Sequence, residues 1–561
     1  MKFYYTILLS IVSTIALGQN CCDQRIVNPL EGYTKAPYIT DVGNHQLKIS
    51  TANDSAQVWF NQGLSYKHGY WDYEAFRAFR EVVRLDSNCA LGYLGLHWSL
   101  NHANNREFES AYYLQKSKEL SVLHNIPKRE WAYIRYFEKL SEVGKTKKLG
   151  KVRDSLITAF PNEIELKLIA AGDFLGAYNN GKPDKEAQFF LSTIKSVMKI
   201  NPDLMAAHHY LIHHLEGDKP EDAIKSAELI GDLAINSSHI QHMPAHVYYE
   251  LGDFEKARLS FEKALLKDTS YQNKYNVEAT NNWNFAHNLG YYIINCGQQG
   301  RYLKGMELAD LLNDVELSKG FGPGLFSIMM NSAAKVELSW RMEEWEDCIQ
   351  FCEKKLEGDT SEVKADNYKR AVFSEYAKCM LAYSNNNVNS FELAYIEFQN
   401  IQSKFQNSSG SFKATNSINL SQLYIAVEDI IALELEGINL LLSGNSRKAI
   451  KTLEKAISIQ ADLITGDPPF YIRPTAELLA DILIEKKEYK KAEKLLKELL
   501  IIQPNGGHTL YRLAKVSIGL EKFKAAKQYL QEAKYVFRFS DPDLKIWTRI
   551  EEIEQELNKN S

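Results

Sequence analysis

Net charge is what this 561-residue chain has least of: 66 Lys and Arg nearly cancel 71 Asp and Glu, leaving -5. A general phosphate-binding or membrane-surface role therefore has no support, and no nucleic-acid partner is expected. Proline (14) and glycine (30) are sparse, which excludes collagen-like and Pro/Gly-rich disordered classes and leaves a chain tolerant of helices. Beyond the N-terminus no apolar run approaches the roughly 18 residues of a membrane span, so no span is expected in the mature chain. Glycine-rich phosphate loops, a dinucleotide fingerprint and a G-x-S-x-G elbow are absent, which disfavours nucleotide hydrolysis, NAD chemistry and α/β-hydrolase catalysis. Cysteine does not organise the chain. Seven are scattered (Cys21, Cys22, Cys89, Cys296, Cys348, Cys352 and Cys379), and the four-residue spacing of Cys348 and Cys352 has no second pair to complete a metal site.

The first 18 residues read as an export signal. Lys2 gives a positive start, Phe3 to Leu17 is almost wholly apolar or small, and Ala16-Leu17-Gly18 has the small-x-small pattern of a cleavage site. The mature protein is expected to be periplasmic or secreted after cleavage near Gly18.

Length alone suggests about four domains, a count that an internal repeat would void. A repeat is present. Trp59-x3-Gly63-x2-Tyr66 is followed by Ala75 and Phe79; Tyr248, Ala257, Phe261 and Ala264 keep the same spacing around a Gly252-Asp253 turn. Gly437, Ala449, Leu453 and Ala456 repeat it, as do Ala492, Leu496 and Pro504, then Ala526, Leu530 and Ala533. Ala223 to Ala257 and Ala492 to Ala526 are each 34 residues. Small residues let paired helices approach, large ones fill between them, and one such hairpin cannot bury its faces alone, so copies must stack. The chain thus resembles the tetratricopeptide repeat (TPR) superfamily, clearly over 55–100, 200–270 and 425–540. That resemblance implies an all-α, TPR-type helical-hairpin solenoid with a concave groove that binds a peptide, a small molecule or a protein partner. The expected layout is a signal peptide (1–18), an N-terminal segment (19–54), a TPR-like array (55–310), divergent helical repeats (311–424) and a C-terminal array (425–561).

Fourteen histidines are present and eight lie between 208 and 287, where an even spread would put about two. In the first group His209, His213 and Glu216 stand at i, i+4 and i+7, one stripe of a helix; in the second His239, His242 and His246 stand at i, i+3 and i+7. His287 takes the equivalent groove position of the next hairpin. His208 is the alternative register to His209, but its stripe continues through Ile212 and Leu215 and reads as core. Several imidazoles with a carboxylate suit a divalent transition metal, and zinc, copper and iron all fit. His209, His213, His239, His242 and His246 are the expected ligands. Glu216 is a ligand or general base, and His287 a ligand or proton shuttle. More donors than one tetrahedral shell allow two ions, or one ion with a group left for proton transfer. No Glu follows His209, so the H-E-x-x-H protease pattern is not met. Pro244 either re-aims His246 or is a tolerated first-turn proline.

His102, Tyr210, Asn288 and Arg473 are expected at most to support the site or touch a ligand. His97 and His508 are weaker candidates, and the lysines from Lys145 to Lys151 read as solvated surface. H-x3-H-x2-E with H-M-P-x-H also resembles an arrangement in large exported bacterial TPR proteins, a resemblance that names no reaction. The leading expectation is a groove-borne metal site that binds a ligand or transforms it by metal-dependent hydrolysis or oxidation. The alternative is a non-catalytic scaffold gripping a peptide or protein.

Overall fold

The structure, a computed structural model, describes residues 27–100, 106–174, 176–179, 182–315, 321, 333–353, 364–408, 418–464 and 473–560. The expected signal segment, Cys21, Cys22 and His102 lie outside the described residues.

Twenty-five α-helices follow one another in the described chain. The first thirteen are α1 (Asp54–His68), α2 (Asp72–Leu85), α3 (Ala90–Ser99), α4 (Glu107–Leu123), α5 (Lys128–Val143), α6 (Lys147–Ala159), α7 (Ile164–Asp173), α8 (Lys185–Ile200), α9 (Met205–Leu215), α10 (Pro220–Leu233), α11 (Ser238–Glu250), α12 (Phe254–Tyr275) and α13 (Trp283–Gln299). Then come α14 (Tyr302–Asn313), α15 (Ala334–Met342), α16 (Trp345–Glu353), α17 (Lys364–Ser384), α18 (Val388–Ser408), α19 (Ile418–Leu442), α20 (Ser446–Ile464), α21 (Thr475–Glu485), α22 (Tyr489–Ile502), α23 (Gly507–Gly519), α24 (Phe523–Val536) and α25 (Lys545–Asn560). Among the described residues the only strands are Tyr178–Asn179 and Lys182–Pro183, an antiparallel hairpin with Tyr178 opposite Pro183. The fold is all-α, as the repeat implied.

The hairpins form for the reasons the spacing suggested. Asn53 caps α1, its Oδ1 accepting from the amides of Ser55 and Ala56. A Cβ on Gly63 would lie 2.6 Å from the Phe79 ring, so α1 and α2 approach only because Gly63 has none. Gly437 stands in the same relation to Leu453, at 2.8 Å. The small positions Ala75, Ala223, Ala257, Ala449, Ala492 and Ala526 are fully buried, beside buried Phe261, Leu496 and Leu530. Gly252 turns the chain between α11 and α12 at φ +74°, a conformation glycine adopts without steric cost. Pro220 opens α10, where its missing N–H is not needed.

The described chain divides into two compact units. The first holds the described residues up to Val247, Leu259–Asn288, Val315 and Phe321; the second holds Tyr248–Arg258, Leu289–Asp314 and the described residues from 333 onward. The first unit has a large core of N-terminal hairpins around Phe60, Phe79, Tyr113 and Phe137. A smaller core of Leu168, Phe190, Ile194, Leu204 and Tyr210 fixes α9 on α7 and α8. Burying a side chain such as Phe190 contributes about 1.5–3 kcal/mol. No described helix is long and apolar enough to cross a membrane.

Candidate metal centre

The apolar face of α9 (Ala206, Ala207, Tyr210) packs into the smaller core of the first unit, which fixes the rotation of the stripe carrying His209, His213 and Glu216. α11 carries His239, His242 and His246, and α13 carries His287. Pro244 is the seventh residue of α11, in its interior rather than its first turn, so it removes one helical hydrogen bond midway between His242 and His246.

Six imidazoles meet. Donor atoms of His209, His213 and His239 all lie within 4.8 Å of one another, and those of His242, His246 and His287 do the same. In the first triad Nε2 of His209 faces Nε2 of His239 at 3.0 Å; in the second Nε2 of His242 faces Nε2 of His246 at 2.7 Å. Two nitrogens sharing a tetrahedral ion at about 2.05 Å stand about 3.3 Å apart, so these two pairs are each within about 0.6 Å of the separation an ion sets. The triads adjoin: ring centroids are 5.9 Å apart for His239 and His242, and 5.4 Å for His213 and His246.

Partners at Nδ1 set the tautomers. His209 Nδ1 donates to the main-chain oxygen of His68 at 2.6 Å, which leaves its Nε2 as a bare lone pair. Glu216 joins the triads from outside: Oε1 meets Nδ1 of His213 at 3.1 Å and Oε2 meets Nδ1 of His246 at 2.8 Å. Glu216 thereby touches one ring of each triad. His239 Nδ1 is buried with no hydrogen-bond partner among the described residues. With Nδ1 unengaged, His239 can carry its proton on Nε2 and donate to the His209 lone pair.

The electrostatics agree. Burial pushes His209, His239, His242 and His287 well below the usual imidazole range, with neighbouring imidazoles adding to it, so these rings are neutral donors. Burial by itself disfavours the Glu216 carboxylate; His246 and His213 outweigh it and hold the group well below the usual carboxylate range. The surroundings are aromatic. Phe261 packs on His242, and the half-buried rings of Tyr70 and Trp283 cover His213 and His239. Tyr70 sits at φ +53°, held there by Trp283 Nε1 donating to its carbonyl at 2.9 Å.

A third buried group adjoins the first triad and is absent from the sequence reading: His45, His68 and Glu165. Each Glu165 oxygen takes one ring, His45 Nδ1 at 2.9 Å and His68 Nε2 at 2.7 Å. The remaining nitrogens are also engaged, His45 Nε2 by the Ala206 amide and His68 Nδ1 by the Tyr210 hydroxyl. This group is complete as a hydrogen-bond network and holds His68, whose carbonyl orients His209. Burial, with His45 beside it, lowers His68 to about 4.

The other predicted residues fall as follows. His208 points elsewhere, bonded to Ser226 Oγ and the Pro202 carbonyl. Tyr210 supports His68 rather than touching the triads' nitrogens. Asn288 donates to Asp268, which also takes Asn282 at 2.8 Å and so anchors the start of α13 beside His287. His97 is bonded to Ser110 within its own hairpins. Arg473 belongs to the second unit, buried against Glu434 and the Tyr376 hydroxyl. His508, in the same unit, stacks edge-on against Phe537.

Residues 239–266, α11 and the first half of α12, match the tetratricopeptide repeat family model. The chain carries a tetratricopeptide repeat. Similar solved structures include a human IFIT1 dimer with m7Gppp-AAAA (14% identity, 87% of this chain and 91% of that one, TM-score 0.30). They also include the TPR domain of P58(IPK) (14%, 71% and 99%, TM-score 0.20) and the APC/C hetero-tetramer Cut9-Hcn1 (12%, 91% and 97%, TM-score 0.26). No curated protein matches the sequence. The fold by itself names no reaction.

Proposed function

We propose that this TPR protein holds a pair of transition-metal ions side by side, one in each histidine triad, and binds or transforms a ligand there. The observation that carries this is convergence: donor atoms of His209, His213 and His239, and those of His242, His246 and His287, each lie within 4.8 Å of one another, with Nδ1 of His209 held by the His68 carbonyl. Such ions would supply Lewis-acid or redox chemistry. The chain's own residues orient the rings through Glu216 and the His68 carbonyl, and exclude water with Phe261, Tyr70 and Trp283. We place the centre in an exported protein on the strength of residues 1–18.

Elemental analysis of the untagged protein tests this, as isolated and after reconstitution with zinc, copper and iron. Close to two ions per chain are expected, lost in His213→Ala/His246→Ala while far-ultraviolet circular dichroism is retained. No bound metal under any condition sinks the proposal and leaves the imidazoles as polar lining for a peptide or protein partner.

A further inference from the structure

Two of the three helices that build the triads are held at their starts by a segment that precedes the repeats. Residues 40–49 form an extended arm with no helix or strand of their own, in which His45, Leu47 and Ile49 alternate inward. α9 has no side-chain cap from the residue before it, the apolar Leu204. The arm supplies one instead. Asn44 Oδ1 accepts from the Met205 amide at 3.2 Å and His45 Nε2 from the Ala206 amide at 3.3 Å, two of the donors that a helix start leaves free. Asn44 Nδ2 also donates to the Asp203 carbonyl at 2.7 Å. Gly43, at φ +142°, makes this approach possible, since a Cβ there would stand 3.0 Å from both Met205 Cε and Ser65 Cβ. The same arm holds the entry to α11: the carbonyls of Asp41 and Thr40 accept from the amide and Nδ2 of Asn236 at 2.9 and 3.0 Å. Five of the six imidazoles stand on α9 and α11.

A second path runs from the arm to the first triad. The Ala206 amide can only donate, so His45 Nε2 is bare and its proton sits on Nδ1, aimed at Glu165 Oε1. The other Glu165 oxygen takes Nε2 of His68, on which His45 stacks with ring centroids 4.3 Å apart. The His68 carbonyl receives Nδ1–H of His209. Helix position and ring orientation in the first triad thus both lead back to His45.

We propose that the arm is a working part of the metal centre: His45 and Asn44 are positioning residues for the first triad, and an ion bound there holds the arm in its seat. The inference rests on the two-ion reading and extends it to a segment outside the repeats. Linkage makes the coupling reciprocal, so it can be read from either end.

Hydrogen exchange by mass spectrometry on the full chain, metal-free and loaded with Zn(II), reads it from the arm. The amides of His45, Leu47 and Ile49 donate to Ser65, Asn61 and Gln57 of α1, so their exchange reports whether the arm is seated. Zinc should slow them at least about tenfold more than it slows α4, a helix of the same unit that carries no triad residue. Equal slowing of the arm and α4 is general stabilisation and overturns the proposal. A competition titration reads the coupling from the ion, in wild type, His45→Ala and the milder Asn44→Ala. Two Zn(II) should still bind, one with its dissociation constant raised about 10–100-fold in His45→Ala and less in Asn44→Ala, the other within about threefold of wild type. Unchanged affinity at both sites, or an equal loss at both, overturns the proposal and leaves the two-ion reading standing. Fewer than two Zn(II) bound by the wild type overturns the two-ion reading itself, and this inference with it.

Discussion

Each unit of the chain buries a polar cluster, and the two are built on opposite principles. In the second unit Arg341, Arg473, Arg512 and Arg549 meet Glu343, Glu434, Glu477 and Asp481, four positive groups against four negative. Arg512 reaches Asp481 at 2.8 Å and Glu343 at 3.0 Å; Arg341 reaches Glu477 at 2.8 Å; Arg549 reaches Glu343 at 2.6 Å. Charge is compensated inside the cluster, so it needs nothing from outside and reads as a structural core. In the first unit the triads gather imidazoles that meet one another through Nε2, with Glu216 serving one ring of each triad. We propose that a cation completes that cluster. The difference teaches that buried polarity alone does not mark a site; what marks it is whether donors and acceptors balance.

Breaking the balanced cluster should have the largest effect on stability. Glu477→Gln removes the buried carboxylate that faces both Arg341 and Arg512, leaving Arg512 to Glu343 and Asp481, and should cost about 3–5 kcal/mol, read as faster amide exchange in Thr475–Glu485 and Gly507–Gly519. In the first unit the corresponding loss comes from the ion rather than a side chain. Stripping metal should lower stability by about 2.7 kcal/mol for each ion lost, relative to free ion held at roughly a hundred times its dissociation constant, a shift absent from His213→Ala/His246→Ala.

Smaller effects sharpen the contrast. Glu216→Gln can accept an N–H from only one of His213 and His246, so one ring loses its imposed tautomer; metal affinity should fall about 10–100-fold in a competition titration. The pH slopes should have opposite signs. Burial opposes ionisation of Glu477, and Arg341, Arg512 and His508 override it to bring the group down to about 2. Its folded value is below its unfolded one, so its stabilisation is full above about pH 4.5 and is lost as pH falls towards 2. Asp268 behaves the other way. Burial raises it to about 6 against the amides of Asn282 and Asn288, so folding favours its protonated form. That contribution is present below about pH 3.8 and is lost as pH rises through 6. Denaturant midpoints between pH 3 and 7 for wild type, Glu477→Gln and Asp268→Asn should separate the two slopes. The smallest effect is expected for His239→Leu in the metal-free protein, within about 1 kcal/mol, because the variant removes an unpartnered Nδ1 while orphaning His209 Nε2.

Much of this was legible in the residues because helices have a period. Gly63 with Phe79, and Gly437 with Leu453, announce close-packed hairpins through spacing alone. The stripes His209–His213–Glu216 and His239–His242–His246 follow from the same 3.6-residue geometry. What stayed hidden has no period. His45, His68 and Glu165 meet across 97 and 120 residues of sequence, and the group that orients His209 is a main-chain carbonyl, which no side-chain pattern encodes. Arg473, expected at most to support the site or touch a ligand, lies in the second unit against Glu434 and Tyr376. The loop segment Asp467–Ile472 that precedes it lies outside the described residues.

The most direct test of the central claim is a crystal structure of the metal-reconstituted chain with anomalous difference maps collected at the metal's absorption edge. Two peaks are predicted, one bounded by His209, His213 and His239 and the other by His242, His246 and His287, each about 2.0–2.1 Å from imidazole nitrogen. Triads that keep their direct nitrogen-to-nitrogen contacts, with no anomalous peak between them, would contradict the account.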